Sequence, residues 1–144
     1  MGITRFLLET AGATFVVFGL LHAIYTFLDI GRPRRLVPDD PAVSAAMARS
    51  QLRLARGRLT MWRAWVGFNF SHGLGVVLFG ALCLFTGAVI ATVAVPGWIL
   101  LLLVAIGLLY LAIGVRYWFR TPVVAIAVAT ACLLVAWVNY CFVL

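Results

Sequence analysis

Residues 98–119 read WILLLLVAIGLLYLAIGVRYWF, and no charge interrupts them before Arg116. Such a stretch is built to cross a bilayer, whose hydrocarbon core is about 30 Å thick and takes about 20 helical residues to span. Three further segments match it in length and apolarity, at about residues 6–28, 61–85 and 122–144. Four spans in 144 residues predict one membrane domain, 1–144, with no room for a soluble catalytic domain. Composition agrees: hydrophobic residues are 65% of the chain and charged residues only 10%, whereas soluble domains carry about 25% charged residues. The reading is an all-α integral membrane protein, an antiparallel four-helix bundle.

All eleven positive charges are arginines, and ten of them flank two connections. The first loop and its flanks hold Arg32, Arg34, Arg35, Arg49, Arg53, Arg56, Arg58 and Arg63, and the third connection holds Arg116 and Arg120. The second connection, 86–97, has no charge. Four spans put the first and third connections on one side, which the positive-inside rule makes cytoplasmic. Both termini then face outward. Arg5 precedes a hydrophobic run too long for a signal peptide, so the first span reads as retained. The net charge of +7 follows from this topology and from contact with anionic lipids. No motif supports nucleic-acid binding.

The first loop contains its own helix. Gly31 to Arg35 breaks the first span, and Asp39-Asp40-Pro41 is a helix start, an acidic cap followed by proline where no amide donor is needed. Good helix formers continue to about residue 58. Val43, Met47, Leu54 and Met61 share one face, and Arg49, Arg53 and Arg56 another, which predicts an amphipathic helix at about 41–58 on the cytoplasmic surface. Gly57 is the expected bend. Small residues at helical spacing, Gly73 and Gly80, Gly107 and Gly114, Ala125 and Ala129, and Ala127 and Ala131, predict close helix packing. Glu9 is expected to reach the headgroups or to pair with Arg5 one turn earlier.

Polar residues inside spans carry the functional question, since they are costly there and face the bundle interior. Phe15, His22, Thr26 and Asp29 share a stripe on the first span, edged by Gly19 and Tyr25. Trp65, Asn69, His72 and Val76 share one on the second. At about 1.5 Å per residue, His22 is about 9 Å from its helix end, and Asn69 and His72 about 12 Å and 16 Å from theirs. His22 and Asn69 are therefore near one level, with His72 offset by a turn.

Several chemistries fit these residues. The plainest is interhelical hydrogen bonding among His22, Asn69 and His72. A second is a pocket for a hydrophobic ligand, such as an isoprenoid, a sterol-like lipid or a quinone, whose polar end meets His22, Asn69 and His72 beside Trp65 and Tyr25. A catalytic version uses His22 or His72 as acid or base, oriented by Asn69 or Asp29. A third is b-type haem ligated by His22 and His72. Cys83, Cys132 and Cys141 have no metal-ligand spacing, and no metal site is predicted. A partner membrane protein or a second copy remains a further occupant of the apolar surface.

One segment is distinctive. Trp65-Val66-Gly67-Phe68-Asn69-Phe70-Ser71-His72, with Gly19-Leu20-Leu21-His22 in the first span, resembles an uncharacterised family of bacterial four-span proteins of this length. The resemblance covers the first two spans and their loop. It implies this fold and topology in a bacterial cytoplasmic membrane, without an activity.

Overall fold

The computed structural model describes residues 1–142, and the last two residues of the expected fourth span, 143 and 144, lie outside the described residues. The elements are α1 (Gly2–Gly31), α2 (Pro41–Arg49), a 3-10 turn (Arg53–Ala55), α3 (Met61–Val89), α4 (Gly97–Tyr117) and α5 (Arg120–Phe142). α1, α3, α4 and α5 are long and apolar enough to cross a membrane. The chain is thus an all-α polytopic membrane protein with a short extra helix in its first loop. It forms two compact units, Met1–Phe18 with Val76 onward, and Gly19–Gly75.

The first unit is the four-helix bundle. Leu8, Ala11 and Phe15 of α1, Val76, Phe79 and Cys83 of α3, Leu100, Leu103 and Val104 of α4, and Ile126, Ala129, Leu133 and Ala136 of α5 form one buried cluster. The Phe15 and Phe79 rings meet edge-to-face at 4.7 Å, and Tyr110 lies 5.9 Å from Phe15. α4 turns Leu101, Leu102, Leu108 and Leu109 outward, the face a lipid-exposed helix needs. On α5 the contact stripe is Ile126, Ala129, Thr130, Leu133 and Ala136. Of the expected alanine pairs, Ala129 alone is buried.

Glycine sets how closely α1 and α3 approach. A Cβ placed on Gly12 would lie 2.7 Å from the Gly80 carbonyl oxygen, and one on Gly80 would lie 2.6 Å from the Gly12 oxygen. Backbone therefore meets backbone, which membrane helices use because lipid tails compete for every larger side chain. Near the N-terminus, Thr4 donates its hydroxyl to Asn139 Oδ1 at 2.9 Å, and the Tyr140 hydroxyl accepts from the Val95 amide at 3.1 Å. Arg5 and Glu9 pair at 2.7 Å, one turn apart on the surface of α1.

The second unit holds the end of α1, the loop with α2, and the start of α3. Here Gly73 of α3 faces Gly19 and Ala23, with a Cβ on Gly73 only 3.2 Å from the Gly19 oxygen. α2 begins as its sequence predicts: Asp40 caps it by accepting from the Ala42 amide at 2.8 Å, and proline follows. It ends at Arg49, well short of residue 58. Ser50 takes an extended conformation, and the chain folds back on itself, with Leu52 donating to Leu59 and Met61 to Ser50. Arg56 and Gly57 reverse it through positive φ angles of 46° and 81°, which glycine takes without strain. Leu54 stands 91% exposed on this reversal, so Leu54 and Met61 leave the face expected to join them to Val43 and Met47.

Two contrasts test this packing. Gly80→Ala is expected to destabilise the bundle by about 1–3 kcal/mol, because a backbone carbonyl cannot yield as a flexible side chain can. Gly67→Ala, which meets nothing within 4 Å, is expected to be neutral or slightly stabilising in the same detergent unfolding titration. Thr130 Oγ1 is buried without a hydrogen-bond partner among the described residues, whereas Thr4 is fully buried and bonded. Thr4→Val should cost about 1–2 kcal/mol. Thr130→Val should change stability by less than about 1 kcal/mol, having no hydrogen bond to lose.

Candidate functional site

Most threonine and serine hydroxyls in the spans satisfy themselves within their own helix. Thr10, Thr14, Thr26, Ser71 and Thr86 donate to the carbonyls of Phe6, Thr10, His22, Phe68 and Leu82. Such bonds remove a polar group's cost without reaching a neighbour. The histidines behave differently. In the second unit, His22 Nε2 and Asn69 Oδ1 are 2.9 Å apart across α1 and α3, and Asn69 Nδ2 donates to the Trp65 carbonyl at 2.8 Å. The His72 ring meets the His22 ring edge-to-face, with centroids 5.0 Å apart. Phe68, one turn before His72, lies parallel to it at 6.4 Å.

The depth offset expected between the two histidines disappears because α1 runs on through Gly31. That extension puts His22 about 14 Å from the helix end, between Asn69 at about 12 Å and His72 at about 16 Å from the start of α3. Gly73 then lets the two backbones come close enough for imidazole to touch imidazole.

The other candidates separate. Trp65 contributes its carbonyl through Asn69, while its ring stacks on Trp62 at 5.7 Å. Tyr25 is exposed, with the Arg35 guanidinium 5.2 Å over its ring. Asp29 is 1% exposed. Its carboxylate accepts from the amides of Arg34 (3.0 Å), Arg35 (3.2 Å to each oxygen) and Leu36 (2.7 Å). It fastens the chain as it leaves α1, and these bonds engage both oxygens. Phe68 joins the centre, and its spacing of four residues from His72 was the available signal. Ser71 is occupied by its own helix.

Haem does not fit between the histidines. A macrocycle ligated by both would lie between the imidazoles, with iron bonded to a nitrogen of each. The rings instead touch each other, His22 Nε2 is engaged by Asn69, and the backbones close up at Gly19 and Gly73. Among the described residues, no three His, Cys, Asp or Glu side chains converge as metal ligands.

The fold and this centre define a four-span membrane protein with a His–Asn–His contact between its first and second spans. No family model, no curated protein and no solved structure matches the chain.

The role of Asp29 can be measured directly. Asp29→Ala should cost about 1–3 kcal/mol by taking the carboxylate away from the Arg34, Arg35 and Leu36 amides. It should also speed amide hydrogen exchange at Arg34, Arg35 and Leu36 in detergent, with exchange in α4 unchanged. Asp29→Asn, which keeps one oxygen acceptor, should fall between.

Proposed function

We propose that this chain is a non-catalytic membrane protein that binds a hydrophobic molecule, with the molecule's polar end at His22, Asn69 and His72. The observation that carries the reading is the ring-to-ring histidine pair, partly buried within apolar helices. Polar side chains are costly inside apolar helices, so the convergence of His22, Asn69 and His72 at one level of two spans marks a candidate site rather than ordinary lipid-facing surface. Phe68, 70% exposed, offers an apolar ring beside it. Apolar surroundings with a few convergent polar groups are the usual composition of ligand sites between bundle helices.

Binding is favoured over turnover by what has happened to Asp29. The carboxylate best suited to orient a histidine base is engaged by loop amides instead. The arginine distribution supports a cytoplasmic position for the first and third connections, with both termini outside. The resemblance of the 65–72 segment supports a bacterial cytoplasmic membrane.

Mass spectrometry of the organic extract tests this. Protein purified in mild detergent should carry an apolar molecule at a near-stoichiometric level. His72→Leu and Phe68→Ala should lower it several-fold while the folded protein elutes unchanged in gel filtration. Wild-type protein without such a molecule, even after incubation with total membrane lipid, would sink the reading.

A further inference from the structure

We infer that His22 presents a hydrogen-bond acceptor to the ligand, so that the centre selects an amphiphile with an O–H head, an alcohol or phenol, over one with an ether or carbonyl head. The inference rests on the ligand-binding reading above and adds to it the chemistry of the head group.

Three atoms between the helices have forced hydrogen-bonding roles. A backbone carbonyl only accepts, so the Trp65 oxygen, 2.8 Å from the Asn69 amide, must face its nitrogen. The amide oxygen is then turned to His22. That oxygen also only accepts, so His22 Nε2 at 2.9 Å must be the donor. Flipping the amide would set its oxygen against the Trp65 oxygen, so the usual ambiguity of amide orientation does not arise here. A neutral imidazole carries one proton. With that proton on Nε2, Nδ1 keeps its lone pair.

No hydrogen bond from a described residue takes up that lone pair. The adjacent Thr26 hydroxyl is committed to the His22 carbonyl at 2.8 Å. Lipid tails offer no donor. An incoming O–H does. An ether or carbonyl oxygen at the same nitrogen would instead set a second acceptor against the first. Asn69 therefore acts on head-group choice through His22: it decides which nitrogen of His22 holds the proton.

Two readouts on the full chain in lipid nanodiscs test this. Nitrogen NMR of protein labelled with 15N-histidine reports which ring nitrogen carries the proton, and His72→Phe identifies the His22 signals. The expected result is the Nε2–H tautomer in wild type, and loss of that single tautomer in Asn69→Leu. A His22 held as Nδ1–H would overturn the inference whatever binds. The binding probes are farnesol and its methyl ether, which share one tail and differ in the O–H. Farnesol should bind about tenfold more tightly in wild type, and the preference should shrink in Asn69→Leu. Equal binding of the two would overturn the donor preference and leave the pocket standing. Binding of neither would remove the pocket reading as well.

Discussion

The close approach of α1 and α3 is the constraint on which the rest depends. Seven residues separate Gly12 from Gly19 on one helix and Gly73 from Gly80 on the other, so one glycine pair falls in each unit. A methyl group on Gly12 or Gly80 would collide with backbone, and one on Gly73 would press on the Gly19 carbonyl at 3.2 Å. Everything polar between the two helices depends on that spacing. Asn69 is a short side chain, and it reaches His22 because the backbones have come together. The two imidazoles touch for the same reason. In water such proximity could be driven by burying larger apolar groups, but lipid removes that driving force and leaves packing and hydrogen bonds.

The polar centre shows how one carbonyl can fix chemistry several bonds away. The Trp65 oxygen belongs to a helical residue whose usual amide partner is four residues on, and a carbonyl has a second lone pair to offer. Asn69 uses it. From there the direction of each hydrogen bond is set in turn, ending at a nitrogen on the other helix. The many threonine and serine hydroxyls nearby show the alternative outcome, in which a polar group bonds backward to its own helix and carries no information across.

Much of this was legible in the residues alone. Four uninterrupted apolar segments admit few other folds, and Asp40-Pro41 marks a helix start by chemistry that needs no tertiary context. The stripe holding His22, Thr26 and Asp29 was visible from helical period, as was its counterpart with Asn69 and His72. What escaped depends on backbone geometry or on distant partners. The end of α1 could not be placed, because the amides that Asp29 fastens lie beyond it, in the irregular stretch 34–36. The length of α2 was overestimated, because good helix formers at 50–58 are overridden by a reversal at Arg56 and Gly57. Gly12 gave no sign of its contact, since its partner is far along the chain. Thr4 and Asn139 are 135 residues apart, and no local pattern links them.

The bonds at Asp29 differ from all of these in one respect, which is order of assembly. Its partners are only five to seven residues further along. A nascent chain that has emerged as far as Leu36 already contains both halves of the interaction, while every contact of α1 with a later helix still awaits synthesis. Closing so short a loop costs little chain entropy. The first helix can therefore acquire its loop-side stop while it is still alone in the membrane. In that case His22 is set at its depth before Asn69 and His72 arrive to meet it.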